Sequence, residues 1–126
     1  LTYELKIDEE AGKQMIPPLI IQPLVENAVV HGIERKESEA EPLKVTVKAE
    51  IKGDRLVVEV EDNGVGISEE RLQEIIRMLD EQDEGNRIGL SNVHHRLQMV
   101  YGESSGLVIE SEERVGTTVR FSIPAD

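Results

Sequence analysis

Apolar and polar residues alternate strictly in two neighbouring runs of the chain, which are separated by Gly53-Asp54. The apolar members of these runs are Leu43, Val45, Val47, Ala49, Ile51, Leu56, Val58 and Val60. A period of two places successive side chains on opposite faces of a strand, so the pattern predicts two half-buried strands. Glycine and aspartate favour turns, and the two runs therefore predict a β-hairpin.

Three other segments repeat their apolar residues at helical spacing. The first opens at Pro17-Pro18, because proline is tolerated in a first helical turn, and stops near Gly32. Its apolar positions are Leu24, Val25, Ala28 and Val29. The second starts at Ser68, which precedes acids that favour a helix N-terminus. Its apolar stripe consists of Leu72, Ile75, Ile76 and Leu79.

The third predicted helix extends from Leu90 to Tyr101. The residues expected to point inward are Val93, Leu97 and Val100. His94 and His95 are adjacent in sequence, so they lie on different faces of this helix, and we expect both at the surface.

Short strands complete the pattern, one ending at Leu5 and Ile7 and two covering Leu107 to Ile109 and Thr117 to Ile123. The order β-α-β-β-α-α-β-β predicts helices layered on one face of a mixed sheet. We therefore expect an α/β (α+β) two-layer sandwich. With 126 residues, the chain is expected to form a single domain, residues 1–126.

The charge balance argues against a nucleic-acid partner, because 14 basic and 26 acidic residues give a net charge of −12. The chain contains no cysteine, which excludes disulfides and thiolate chemistry. No apolar run approaches the roughly 20 residues of a membrane helix, so we expect no membrane contact by this chain. Because the chain begins at Leu1, we expect it to be a fragment of a longer protein.

Asn27, in the first helix, is a candidate magnesium ligand. Magnesium prefers oxygen ligands, often one or two from the protein and the rest from water and phosphate. The alternative is a buried helix asparagine bonded to backbone. Glu26 and His31 lie near Asn27 and are the candidate catalytic groups. Their alternatives are a solvated helix charge and a histidine that interacts with the helix dipole.

The segment Asp62-Asn-Gly-Val-Gly66 follows the predicted hairpin. A carboxylate at a strand end can accept a hydrogen bond from the exocyclic amine of adenine, and glycines allow a ring to lie against backbone. A tight turn after the strand is the alternative, because Asn-Gly favours turns.

Gly85 to Leu90 leads into the third helix and is a candidate phosphate site, because free N–H groups at a helix N-terminus bind anions. Arg87 either contacts phosphate or is solvated, and an ordinary loop is the alternative for the whole segment. Gly116-Thr117-Thr118 either belongs to the same site or is only a strand entry.

In this order, the segments resemble the N, G1 and G2 boxes of the GHKL superfamily, which shares the Bergerat ATP-binding fold. In particular, the chain is similar to the catalytic, ATP-binding domain of bacterial sensor histidine kinases of the LytS/YesM-like type. The matching phrases are Pro18-Leu-Ile-Ile-Gln-Pro-Leu-Val-Glu-Asn-Ala28, Asp62-Asn-Gly-Val-Gly-Ile67, Ile88-Gly-Leu-Ser-Asn-Val93, Arg96-Leu97 and Tyr101-Gly102. The resemblance covers about residues 1–124.

The resemblance implies a mixed, mostly antiparallel sheet with helices on one face, and ATP and Mg²⁺ as ligands. It implies that Asn27 binds magnesium, that Asp62 binds the adenine amine, and that Thr117 helps to bind adenine, often through water. The other implied nucleotide-binding residues are Gly64, Gly66, Ile67, Gly85, Arg87, Gly89 and Leu90. The ATP lid would comprise about residues 68–89.

Three positions depart from the family pattern. Hydrolytic relatives carry a general-base glutamate four residues before the magnesium asparagine, where this chain has Pro23. Histidine kinases often carry a lysine three residues after that asparagine, where this chain has Val30, so His31, Lys36 or Arg87 would have to compensate. Arg87 also replaces the middle glycine of the G2 pattern and would contribute charge instead.

The implied function is that of a protein-histidine kinase domain in two-component signal transduction. It would bind Mg-ATP and transfer the γ-phosphoryl group to a histidine on a dimerisation domain of the same protein, for later transfer to a response regulator. The parent would be a homodimeric, membrane-anchored sensor with this domain in the cytoplasm. The alternatives are a serine-directed GHKL kinase of the anti-sigma-factor type and a degenerate nucleotide-binding module with only a regulatory function.

Overall fold

A computed structural model describes residues 2–7, 9, 11, 22–28, 43–80 and 89–125. The strands in these residues are β1 (Thr2–Ile7), β2 (Lys44–Lys52), β3 (Arg55–Asp62), β4 (Val108–Glu112) and β5 (Gly116–Pro124). They form one sheet in the order β1-β2-β3-β5-β4. Strand β1 is parallel to β2 and the other neighbours are antiparallel, which confirms the predicted mixed sheet.

The helices described are α1 (residues 22–28), α2 (Glu69–Asp80) and α3 (Gly89–Tyr101), followed by a short 3-10 turn at Glu103–Ser105. The predicted start of α2 is confirmed, because the Ser68 hydroxyl accepts a hydrogen bond from the Arg71 amide at 3.2 Å and so caps the helix. Helix α3 ends at Tyr101 and is followed by Gly102, whose positive φ of 106° suits glycine.

The face of the sheet that packs against the helices, here called the inner face, is built from cross-strand rows of aliphatic residues. One row contains Val47, Val60, Val119 and Ile109, and the next contains Ala49, Val58 and Phe121. These side chains share one core with Leu24, Ala28, Leu79, Leu90, Val93 and Leu97 of the helices. Fully burying one large aliphatic side chain contributes about 1.5–3 kcal/mol, so this layer contact is a major source of stability.

The opposite, open face of the sheet carries mainly charged side chains. They include Lys44, Lys48, Glu59, Glu61, Glu110 and Arg120, which alternate in sequence with the inner-face residues. One large aliphatic side chain on it, Val108, is 51% exposed. The predicted two-layer arrangement with helices on one face is therefore confirmed.

Two of the predicted inward positions are wrong. Val100 is 62% exposed, and Ile76 in α2 is 37% exposed. At about 100° per residue, Leu90, His94, Leu97 and Tyr101 fall within roughly 60° of one another, and Val100 lies about 90° from their centre. The inward stripe of α3 thus continues from Leu97 to Tyr101 and bypasses Val100.

Candidate functional site

The inner face changes from apolar to polar in its last cross-strand row. There Asp62 of β3 pairs with Thr117 of β5, and Thr117 pairs with Ser111 of β4. In the preceding row, the same three strands contribute Val60, Val119 and Ile109. The polar row is half-buried. Strand alternation, which orients the apolar core inward, therefore also directs this carboxylate and two hydroxyls toward the helix side.

The loop after β3 is fixed by hydrogen bonds at its start. The Asp62 carboxylate oxygen Oδ1 accepts a hydrogen bond from the Gly64 amide at 2.8 Å, which forms an Asx turn. The Asn63 side-chain oxygen accepts from the Lys44 amide at 2.7 Å, and the Asn63 amide donates to the Lys44 carbonyl at 3.3 Å. Asn63 thus extends the β2–β3 pairing, while Gly64 turns the chain beside Asp62.

Two glycines allow this loop and the β4–β5 turn to approach closely. A Cβ atom on Gly66, whose φ is 73°, would lie 2.0 Å from the Glu112 carbonyl oxygen. A Cβ atom on Gly116, whose φ is 146°, would lie 2.0 Å from the Asp62 carbonyl oxygen. Both positions require glycine for conformational and steric reasons. The Arg114 amide also donates to the Val65 carbonyl, which binds the turn to the loop.

Ser111 connects three parts of this site. Its hydroxyl oxygen accepts a hydrogen bond from the Ile67 amide at 2.8 Å and lies 2.9 Å from the Gly116 carbonyl oxygen and 2.8 Å from the Thr117 hydroxyl. Sequence reasoning missed Ser111. The alternation of Leu107, Ile109 and Ser111 is the signal that places it on the inner face beside Thr117.

Helix α1 places Asn27 at the edge of its buried side. Leu24 and Ala28 are buried in the core, Asn27 is half-buried, and Glu26 is exposed. The Glu26 carboxylate accepts a hydrogen bond from the Gln22 side chain at 3.0 Å, one helical turn earlier. The structure thus separates the two neighbours: Asn27 can present an amide oxygen at the layer boundary, whereas Glu26 faces solvent.

The candidate phosphate segment is described only from Gly89 onward. Gly89 is the first residue of α3, Leu90 and Ser91 are buried, and Asn92 is exposed. Three sequence-predicted site residues, His31, Gly85 and Arg87, lie outside the described residues. The buried Leu90 fixes the first turn of α3 against the core, and the amides of such a turn can serve anion binding.

The expectation that His94 lies at the surface is wrong. His94 is 6% exposed, and its Nδ1 atom accepts a hydrogen bond from the Leu107 amide at 2.9 Å. The ring packs where Gly106 leaves room, since a Cβ there would lie 2.6 Å from the His94 Cε1 atom. His94 therefore joins α3 to the start of β4. His95 is half-buried, and its Nε2 atom is buried without a hydrogen-bond partner.

The open face has a different electrostatic character. A concavity of about 500 Å³ at the same end of the sheet is lined by charged open-face side chains, among them Lys44, Lys48, Glu61 and Glu110, and it also reaches Asp62, Ser111 and Thr117 of the polar row. Lys44 and Lys6 pair with Glu4, Lys48 pairs with Glu61, and Arg120 pairs with Glu59 and Glu110.

These pairs shift two pKa values. The hydrogen bond from Lys44 holds the pKa of Glu4 below its usual value, and the hydrogen bond to Glu61 raises the pKa of Lys48. Since these lysines are already matched by carboxylates of the chain, the open face is less suited to a nucleotide than the polar row.

The donor chemistry fits a magnesium ion that is held mainly by its nucleotide. In the described part of the chain, no three or more His, Asp or Glu side chains are arranged to hold a metal ion. A single amide oxygen, such as that of Asn27, is a hard ligand, and phosphate oxygens and water can complete the octahedral shell. Separately, no helix among the described residues has the length and apolar character needed to cross a bilayer.

A family model described as "Histidine kinase-, DNA gyrase B-, and HSP90-like ATPase" matches residues 12–126. The chain is 38% identical to the sensor protein LytS of Bacillus anthracis over 124 residues, covering 97% of this chain and 20% of that protein. It is 43% identical to the sensor histidine kinase YpdA of Escherichia coli K12 over 124 residues, covering 98% of this chain and 20% of that protein. The chain thus spans about a fifth of the length of these relatives.

Solved structures share the fold. The catalytic domain of histidine kinase ThkA, in a nucleotide-free form, aligns with a TM-score of 0.67 at 22% identity over 98% of this chain and 77% of that chain. The histidine kinase domain of the Escherichia coli osmosensor EnvZ aligns with a TM-score of 0.66 at 22% identity, over 98% of this chain and 75% of that chain.

Proposed function

Because the chain belongs to the family of histidine kinase-, DNA gyrase B- and HSP90-like ATPases, we propose that it is the ATP-binding catalytic domain of a sensor histidine kinase. It binds Mg-ATP and transfers the γ-phosphoryl group to a histidine on a dimerisation domain of the same protein. The proposal is supported by the relatives, which are named as sensor proteins and sensor histidine kinases. The proposed unit is residues 1–126, with an ATP lid of about residues 68–89.

The observation that carries the proposal is the position of Asp62 in the polar row. Its carboxylate lies beside Thr117 at the end of an otherwise apolar face, and the Gly64 amide fixes its Oδ1 atom. Adenine presents an apolar ring and an exocyclic amine that donates hydrogen bonds. An aliphatic surface that ends in an oriented carboxylate can accept both parts of that base, which is how small-molecule sites combine apolar contact and specificity.

At the phosphate end, we propose that Asn27 contributes an amide oxygen to the magnesium ion and that the first turn of α3, from Gly89 and Leu90, contributes backbone amides. Gly85 and Arg87 would complete the phosphate contacts. Bound magnesium would neutralise charge that develops on the transferring phosphoryl group.

Transfer requires little covalent chemistry from this chain. A nitrogen of the acceptor imidazole forms a bond to the γ-phosphorus while the bond to the ADP oxygen breaks, and positioning with charge stabilisation provides most of the acceleration. Glu26 and His31 are the proposed catalytic residues near the reacting groups. Pro23 has no side chain that can activate water, so ATP hydrolysis by the chain alone should be very slow.

The remaining partners follow from this proposal. The phosphorylated histidine would supply a response regulator, and the parent would be a homodimeric, membrane-anchored sensor whose catalytic domain lies in the cytoplasm. We expect no nucleic-acid partner, in keeping with the net charge of −12.

The proposal is tested by calorimetry with ATP, followed by radiolabelled phosphoryl transfer to an added histidine-bearing dimerisation domain. We expect ATP binding, no label on this chain alone, and acid-labile label on the added domain. Acid-stable label on a serine of a partner, or label retained on the chain itself, would contradict the proposal.

Magnesium binding is tested separately with Asn27→Ala. Because the amide oxygen would lie on the ion, affinity for ATP should fall much more in magnesium than in EDTA. Equal losses in both buffers would show that Asn27 is structural. Gln22→Ala is a suitable control on the same helix, because Gln22 is exposed and should leave the magnesium dependence of binding unchanged.

A further inference from the structure

The hydrogen-bond balance around Ser111 determines which hydroxyl donates to which oxygen. A serine hydroxyl has one hydrogen to donate and two lone pairs that accept. Its oxygen lies 2.9 Å from the Gly116 carbonyl oxygen, which has no hydrogen, so Ser111 donates there. The Ile67 amide donates to one Ser111 lone pair at 2.8 Å.

This arrangement fixes the direction of the hydrogen bond between the Ser111 and Thr117 hydroxyls. Their hydroxyl oxygens are 2.8 Å apart. Since the Ser111 hydrogen is engaged by Gly116, the Thr117 hydroxyl donates to the second Ser111 lone pair. The lone pairs of Thr117 are then its only means of bonding a ligand, and Thr117 acts toward the site as an acceptor.

Asp62 is also an acceptor toward the site, because an ionised carboxylate has no hydrogen to donate. Asp62 and Thr117 are cross-strand partners, so their Cβ atoms lie about 4.5–5.5 Å apart on the same face. Two neighbouring acceptors favour adenine, which has an amine where guanine has a carbonyl oxygen. A water between Thr117 and the ring would give one hydrogen to Thr117 and the other to the adjacent ring nitrogen, which accepts in adenine and donates in guanine.

We propose that Ser111 is a positioning residue that fixes the Thr117 hydroxyl as a hydrogen-bond acceptor and thereby favours adenine over guanine nucleotides. The proposal rests on the proposed nucleotide function of this site. Ser111 acts through Thr117 and does not contact the base. Through the Ile67 amide it also holds the loop after β3 in register with the polar row.

The test measures the dissociation constants of ATP and GTP for the protein and its Ser111→Ala variant. Without the serine oxygen, the Thr117 hydrogen can rotate toward the ligand, so ATP should bind more weakly and GTP as tightly or more tightly. The GTP-to-ATP ratio of dissociation constants should fall about fivefold to tenfold, the factor that one net hydrogen bond contributes. Equal weakening of both nucleotides would overturn the proposal, because a loosened loop would affect both alike.

A double-mutant cycle with Thr117→Val separates positioning from a structural role. If Ser111 acts through the Thr117 hydroxyl, Ser111→Ala should not change the nucleotide ratio further in the Thr117→Val background. An additional fall of the same size in that background would contradict the mechanism. The matched control is Thr118→Val, on the open face, which should retain the wild-type ratio.

A second variant and the binding behaviour of the unmodified protein distinguish a failure of this inference from a failure to fold and from a failure of the proposed function. If Ser111→Ala fails to fold, Ser111→Cys preserves the volume with a weak hydrogen-bonding group and should still lower the ratio, whereas an unchanged ratio would overturn the proposal. If the unmodified protein binds neither nucleotide, the proposed function itself fails. Selective ATP binding by the unmodified protein, with unchanged selectivity in the Ser111 variants, would overturn only the inference about Ser111.

Discussion

Adjacent residues of the same strand lie on opposite faces of the sheet and have different surroundings there. Asp62 belongs to the half-buried polar row, whereas its neighbour Glu61 forms an ion pair with Lys48 on the open face at 2.9 Å. Thr117 likewise contacts Ser111, and Thr118 faces the opposite side. The carboxylates are chemically alike, so their surroundings account for their different proposed roles.

Charged groups on the two faces of the sheet contribute differently to stability. The side chains of Lys48 and Glu61 are 38% and 44% exposed, and exposed ion pairs contribute about 0–1 kcal/mol because water screens them. On the inner face, the polar atoms of Asp62 and Ser111 are held by backbone contacts, and the polar row borders the apolar core. A change there alters hydrogen bonds that water does not readily replace.

The largest effect is expected from Gly116→Ala. The new Cβ would lie 2.0 Å from the Asp62 carbonyl oxygen at a φ of 146°, so β5 would have to move away from the site. We expect a loss of more than about 3 kcal/mol in unfolding free energy, the range of severe backbone and packing defects. Urea unfolding followed by circular dichroism measures it.

The matched control is Gly53→Ala, in the hairpin turn at the far end of the sheet. Gly53 also has a positive φ, 64°, but a Cβ there meets nothing within 4 Å. Its cost should be only about 1–2 kcal/mol, from the backbone conformation alone. If both substitutions lower the unfolding free energy equally, the close packing around Gly116 does not contribute to stability beyond the backbone conformation.

The next largest effect concerns the helix layer that covers the inner face. His94→Ala removes a buried ring and leaves the Leu107 amide without its acceptor, which together should cost about 2–4 kcal/mol. His95→Ala removes a Nε2 atom that is buried without a partner, so it should cost less than about 1 kcal/mol. Thermal unfolding of both variants provides the measurement, and a larger loss for His95→Ala would contradict this ranking.

The sequence pattern predicts the helices and strands whose signals lie within the element itself. Strict alternation predicted the β2–β3 hairpin, because each strand residue faces one side only. Ser68 predicted the start of α2, because its hydroxyl can cap the helix without any distant contact. The segment around Asp62 was recognised as a site candidate since it follows a clear strand, and the roles of its residues remain predictions.

Features that depend on distant partners were not predictable in the same way. His94 is buried because the Leu107 amide and the space at Gly106 accommodate its ring, and neither signal lies in α3 itself. Ser111 was missed because its role depends on the register of the β4–β5 hairpin and on the loop that ends at Ile67. Periodicity places His94 on the inward stripe of α3 and Ser111 on the inner face of the sheet. The hydrogen-bond partners of both side chains are tertiary contacts, which periodicity alone cannot reveal.

A smaller effect, on binding alone, is expected from Asp62→Asn. Asparagine retains a side-chain oxygen for the Gly64 amide, so the Asx turn and the fold should persist. Loss of a charge-assisted hydrogen bond to adenine should cost about 1.5–3 kcal/mol of binding free energy for ATP, measured by calorimetry. The adjacent control Glu61→Gln alters only the open-face pair with Lys48 and should leave ATP affinity unchanged. If both variants lose affinity equally, the distinction between the two faces is wrong.

The smallest effects should come from the open-face ion pairs, and their pH dependence has a defined sign. The Lys48 pKa is raised by the hydrogen bond to Glu61, so its contribution to stability is present below its ordinary value of 10.5 and is lost as pH rises through the higher folded pKa. The Glu4 pKa is lowered by the hydrogen bond from Lys44, so its contribution is present above 4.5 and is lost as pH falls through the lower folded pKa.

Between about pH 5 and 9, neither contribution should vary, because both groups keep their charges in the folded and unfolded chains. Lys48→Met should therefore lower the unfolding free energy by less than about 1 kcal/mol at pH 7, and the difference from the unmodified protein should shrink above pH 10.5 and in concentrated salt. Urea unfolding at these conditions measures the difference. A cost as large as that of His94→Ala would mean that the open face stabilises the fold as much as the covered one does, which would remove the contrast between them.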